Sequence, residues 1–185
     1  MHNLFGDKDD QIVILDTCVL IDIFADSEGI SHYQRYIYQS LLPLVSNKKI
    51  FISATTKQEL INTMDKNDSI TNLLKNKDFI KSDDELIQLA TIKFWNNIQQ
   101  DNKPQGKTKE ENIKNDITNC FTAKHYNAVL VSSEKMQKGR IGNQTLKIPS
   151  ICKKENIKFM KTIEFLYILG VNTQHITTNQ NSLNP

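Results

Sequence analysis

The chain has 185 residues, 38% of them hydrophobic and 24% charged, which fits one soluble globular domain with a buried core and argues against two. Its N-terminus, MHNLFGDKDD, carries acids where a leader would carry a basic stretch before an apolar run, and its longest apolar segment is broken by Asp16 and Asp22, so neither a signal peptide nor a membrane span is expected. Cys18, Cys120 and Cys152 are odd in number and lack close paired spacing, which favours buried reduced thiols in a cytoplasmic protein over disulfides or zinc.

The net charge of +2 conceals an asymmetry: residues 1–102 carry −5, and the chain from Lys103 onward carries +7. Lys135, Lys138, Arg140 and Lys147 lie close together in the basic half, followed by Lys153, Lys154, Lys158 and Lys161. Any one of these lysines is explained by a solvated face, but the aggregate bias suits a polyanionic ligand.

Taken in order, residues 1–10 form an extension, 11–170 the domain and 171–185 a polar tail expected to fray. Ile12 to Leu15 is a buried strand by its β-branched apolar run, and Asp16 or Thr17 is placed to cap a helix that starts at once. Tyr33, Ile37, Leu41 and Leu44 recur at helical spacing as far as Asn47, and Lys49 to Ser53 is the next strand. Thr56 with Glu59 is a capping-box pattern, repeated by Ser82 with Glu85 ahead of Leu86, Leu89, Phe94 and Ile98. Asp101 to Lys109 is a loop by its Pro, Gly and charge. Ile113, Ile117, Cys120, Phe121 and Lys124 mark a helix, Ala128 to Val131 a strand, Ile157 to Met160 another strand, and Thr162 to Leu169 a closing helix. Strands alternating with helices imply an α/β fold with a mainly parallel sheet, whose functional groups gather beyond the C-terminal strand ends.

Four acids fall at such positions. Asp16 interrupts a buried segment, where a naked charge costs several kcal/mol, roughly, unless a cation or hydrogen bonds compensate it; a plain helix N-cap accounts for it equally well. Glu59 taken alone is explained by the capping box. Asp116 shares the helix arc of Ile113, Ile117, Cys120 and Ala123, so its carboxylate faces the packed side and wants a partner. Glu134 follows a strand in a Ser-Ser-Glu turn and as a lone residue reads as surface, with Ser132 and Ser133 offering hydroxyls. If the sheet brings the four together, their carboxylates are natural ligands for Mg²⁺ or Mn²⁺, and phosphodiester hydrolysis becomes the indicated chemistry.

At these residues the chain resembles the PIN-domain nuclease family, including the VapC-like toxin ribonucleases. The matching pieces are IVILDTCVLIDIF around Asp16, ISATTKQELINT around Glu59, KNDITNCFTAKHYNAVLVSSE covering Asp116 and Glu134, and the closing IKFMKTIEFL. The resemblance implies a three-layer α/β/α fold and a Mg²⁺- or Mn²⁺-dependent endoribonuclease. Asp16, Glu59, Asp116 and Glu134 would be its catalytic acids, and Asp16, Asp116 and Glu134 its metal ligands. Thr17 and Ser132 would support the site, and Lys135, Lys138 and Arg140 would contact the RNA backbone. An antitoxin-like protein inhibitor and a homodimer are family-level partners. The last acid of the family's quartet is commonly Asp, and Glu134 stands there in this chain. That departure motivates the alternative, a noncatalytic PIN-like domain that binds RNA or a protein. A haloacid dehalogenase-type phosphatase needs a second acid two residues after the first, where this chain has Cys18.

Overall fold

The computed structural model describes residues 11–24, 32–64, 68–81, 84–101, 107–135 and 147–171. Strand β1 (Val13–Leu15) leads into helices α1 (Thr17–Phe24) and α2 (His32–Ser46), then strand β2 (Ile50–Ser53) into α3 (Ala54–Thr63) and α4 (Asp68–Lys75). A 3-10 turn (Lys77–Phe79) precedes the two-residue strand β3 (Ile80–Lys81), and the long helices α5 (Glu85–Asp101) and α6 (Lys107–His125) follow. Strand β4 (Val129–Ser132), helix α7 (Ile148–Glu155), strand β5 (Phe159–Lys161) and helix α8 (Thr162–Ile168) complete the order.

The five strands form one sheet in the order β3-β2-β1-β4-β5, and every pairing is parallel. Register is set by apolar partners at the centre, Val13 opposite Ile50 and Val129, and Leu15 opposite Val131. Because side chains alternate along a strand, each central strand feeds both faces of the sheet. Val13, Leu15, Ile50, Ile52, Val129 and Val131 pack with Leu20, Ile37, Leu41, Leu73 and Phe165 from α1, α2, α4 and α8. Ile14, Phe51 and Leu130 point the other way, onto Phe94, Ile117 and Ile151 of α5, α6 and α7. The result is the expected α/β/α three-layer architecture. Chain progression turns outward in opposite directions from β1, so the sheet's switch point falls between β1 and β4.

Several local expectations need correction. Thr56 does not cap α3: Ser53 does, its hydroxyl accepting from the Thr56 N–H at 3.0 Å. The helix therefore starts before Thr56, and Glu59 lies in its second turn, clear of the cap. At α5 the capping side chain is Asp84, which accepts from the Leu86 N–H at 2.9 Å, while Ser82 lies outside the described residues. The expected loop 101–109 is narrower, because α5 runs through Asp101 and the Lys- and Glu-rich start of α6 is already helical at Lys107. Strand β5 sits later than Ile157 to Met160, ending at Lys161, and α4, β3 and α7 had no expected counterpart. The extension 1–10, and all of the polar tail beyond Val171, lie outside the described residues. Among the described residues no helix is long and apolar enough to cross a membrane.

Candidate active site at the sheet's switch point

Asp16 leaves the C-terminal end of β1, where its N–H donates to the Val131 carbonyl at 3.0 Å and fixes it against β4. The residue is 5% exposed. Beyond the Thr17 N–H at the start of α1, its carboxylate is taken up by side chains from three elements, so capping α1 alone does not account for it. Asn119 of α6 donates to Oδ1 at 3.0 Å, and Ser132 of β4 and the Cys18 thiol of α1 donate to Oδ2 at 3.0 and 2.7 Å. Burial raises the Asp16 pKa above the ordinary aspartate value, and the Cys18 and Ser132 hydrogen bonds partly offset this.

Asn119 was not singled out in the sequence, yet it holds the centre together. Its amide oxygen accepts from the hydroxyls of Ser53 and Thr56, which commits the amide nitrogen to Asp16. Buried Ser53, Thr56, Asn119 and Asp16 thus form a continuous polar chain from the end of β2 to the end of β1. Thr17, an expected supporting residue, donates to Oε2 of Glu59, and Asn115 donates to Oε1 at 2.6 Å. Glu59 is thereby oriented by α1 on one side and α6 on the other.

Asp116 follows Asn115 on α6 and is partly buried. No hydrogen bond from a described residue reaches its carboxylate. Its pKa is raised from 3.8 to about 8, first by burial and then by the negative charges of Glu134, Asp16 and Glu59, with the Lys147 ammonium acting against them. Repulsion of this kind is the electrostatic sign that Asp16, Glu59 and Glu134 lie near Asp116. Glu134, just beyond β4, is engaged differently. Its Oε1 pairs with Lys147, and its Oε2 accepts from the Ile148 N–H at 2.9 Å, capping α7 from a distant turn. The contact with Glu134 is the main cause of a raised Lys147 pKa.

Among the described residues no three His, Cys, Asp or Glu side chains stand ready to enclose a metal ion. A Mg²⁺ site does not require three, since the ion is ordinarily held by one or two carboxylates, with waters and substrate phosphate completing its shell. The donor chemistry fits such an ion: Asp116 lacks a partner among the described residues and is repelled by its acidic neighbours. Asp16 and Asp116 are the residues that would hold it.

A groove of about 520 Å³ takes Glu134, alone of the four acids, into its lining, with Asp22, Tyr33, Ser133, Lys135 and Lys161 among the others. Lys135 is exposed at its edge. Ser133 donates to Asp22 and lies 2.7 Å from the Thr162 hydroxyl, tying α1 to the β5–α8 junction. Lys138 and Arg140 lie outside the described residues. The three cysteines are free thiols: Cys120 and Cys152 are buried with sulfurs 3.9 Å apart, while Cys18 is only partly buried. Sequence periodicity had no means of placing Asn115, Asn119 or Lys147 here, because each is a common surface residue type and only the packing of α6 and α7 turns it inward.

The solved structure of VapBC-1 from nontypeable Haemophilus influenzae is similar to this chain, with a TM-score of 0.46 and 17% identity over 83% of this chain and 99% of that one. No curated protein matches the sequence. A family match spans residues 13–173, from the first strand to just past the last helix, and the chain belongs to that family, a domain of unknown function (DUF4411).

Proposed function

We propose that this protein is a Mg²⁺- or Mn²⁺-dependent endoribonuclease with its centre at the β1/β4 switch point. The observation that carries the reading is the convergence of Asp16, Glu59, Asp116 and Glu134, with Asp116 pushed up to about 8 by burial and its acidic neighbours. Asp16 and Asp116 would hold the ion. A bound Mg²⁺ or Mn²⁺ supplies Lewis acidity for phosphodiester hydrolysis. Glu59, held by Thr17 and Asn115, would accept a proton from the attacking water. Ser132 and Asn119 keep the Asp16 carboxylate in place, and Glu134 shapes the far wall of the site. Water attack in line forms a new P–O bond as the bond to the 3′-oxygen breaks, leaving a 5′-phosphate and a 3′-hydroxyl. Lys135, with Lys138 and Arg140 from the same basic segment, neutralises the RNA backbone without reading bases. The sequence resemblance adds an antitoxin-like protein inhibitor and a homodimer as proposed partners, and the free cysteines suit a cytoplasmic location.

The test is incubation of the purified protein with labelled single-stranded RNA in Mn²⁺, Mg²⁺ or EDTA, with Asp16→Asn in parallel. Cleavage is expected in either metal and absent in EDTA and in the variant. Cutting that persists in Asp16→Asn removes the assignment. A second reading, a noncatalytic RNA- or protein-binding domain, is favoured by one observation: Glu134, where the family commonly has Asp, directs one oxygen to Lys147 and the other to the Ile148 N–H. Tight RNA binding without cleavage, and no change in melting temperature with Mn²⁺, would support it.

A further inference from the structure

Glu134 is the acid whose type departs from the expected Asp, and the structure gives its extra methylene a use. The side chain reaches across to the start of α7, where Lys147 and the Ile148 N–H take one carboxylate oxygen each. The pair is largely withdrawn from water, with side-chain exposures of 17% for Glu134 and 33% for Lys147. At its other end Glu134 is pinned by its own N–H, which donates to Ser132 Oγ at 3.1 Å, the hydroxyl that also donates to Asp16. Lys147 therefore sits close enough to Asp16 and Asp116 to feel their charges, and its own charge opposes the repulsion at Asp116.

We propose that Lys147 is a built-in cation of this site, holding Glu134 out of metal coordination so that the centre takes one divalent ion, on Asp16 and Asp116, and not two. The inference rests on the nuclease reading and specifies its metal content. For Glu134 to turn its carboxylate fully onto a second ion it must leave both Lys147 and the α7 N-terminus. That would strand a partly buried ammonium and expose an uncapped N–H. A second divalent ion in the same place would also meet the ammonium as a like charge at short range. Lys147 acts here as a positioning residue, through Glu134, and makes no contact with the reacting phosphate.

The experiment counts Mn²⁺ on the full chain by calorimetry and by electron paramagnetic resonance of free Mn²⁺. Wild type is expected to bind one ion, lost in Asp16→Asn and in Asp116→Asn. Lys147→Met, which frees Oε1 of Glu134, is expected to bind a second ion or to hold the first at least tenfold more tightly. Lys147→Arg, which keeps the cation, should match wild type. Two ions in wild type, or a folded Lys147→Met with wild-type count and affinity, overturn the proposal. Should Lys147→Met fail to fold by circular dichroism, Glu134→Asp shortens the arm, keeps every charge and is read by the same criteria. Absence of any Mn²⁺ binding by wild type would remove the nuclease reading and this inference together, whereas two bound ions would remove only the inference.

Discussion

Asp116 should make the metal-free protein lose stability as the solution becomes more alkaline, opposite to the usual behaviour of a paired carboxylate. Its pKa moves from 3.8 to about 8 on folding, so between those values the folded chain binds more protons than the unfolded one. The stabilising contribution is complete below the lower value and is lost as pH rises through the upper one. At about 1.4 kcal/mol per unit, the interval from pH 5 to pH 8 removes roughly 4 kcal/mol from this single group, an upper bound because water reaching a partly exposed carboxylate screens it. With a urea dependence of about 2 kcal/mol per M, the midpoint in EDTA falls by up to about 2 M over that range. Asp116→Asn cannot titrate, so it should match wild type near pH 5 and exceed it at pH 8. A shallower decline should remain from Asp16, whose pKa is raised in the same direction. Parallel urea midpoints for wild type and Asp116→Asn across pH 5 to 8 would refute the electrostatic account of the cluster.

Mn²⁺ should reverse the alkaline loss: at a hundredfold excess over its dissociation constant, wild type at pH 8 should gain about 2.7 kcal/mol, and Asp116→Asn should gain nothing. Asn119→Ala removes a hydrogen bond to a buried carboxylate and leaves a void, so its urea midpoint should correspond to a loss of about 2–4 kcal/mol; a loss below about 0.5 kcal/mol would show that Asp16 is held without it. Cys18, with its thiol pushed up to about 12, should react with iodoacetamide at pH 8 about a thousandfold more slowly than a free thiol, because only the thiolate is nucleophilic. Lys135→Ala should weaken RNA binding across sequences alike and lower the slope of log affinity against log salt by about one.

The layered fold was legible because its central strands are short β-branched runs, each answered on both faces by a helix with apolar residues at helical spacing. Val13 to Leu15 and Val129 to Val131 need no tertiary information to be read as buried strands. What escaped had weak or misleading local signals. Strand β3 is two residues long, and α7 is an eight-residue helix with Pro149 in its first turn and two lysines in its last. The Thr56–Glu59 pair imitates a capping box while Ser53 does the capping, since propensity cannot tell which of two nearby hydroxyls the backbone will choose. At the site, the acids stood out because a carboxylate in or beside an apolar segment demands compensation. Of the groups that supply that compensation, Thr17 and Ser132 were singled out in the sequence, whereas Asn115, Asn119 and Lys147 look like any of this chain's many solvated residues until the fold brings them to the acids.

The polar chain from Ser53 through Asn119 to Asp16 sets when in the life of the molecule the centre can exist. Its members come from the ends of β2 and β1 and from the middle of α6, and the hydroxyl that completes the Asp16 shell arrives only with Ser132. A growing polypeptide still lacking β4 holds Asp16, Glu59 and Asp116 but has no surface against which to hold them in register, and Glu134 has no seat until Lys147 and Ile148 have been made. The proposed nuclease chemistry is thus expected to require the chain at least as far as Ile148, and a product that stops before β4 is expected to be inert.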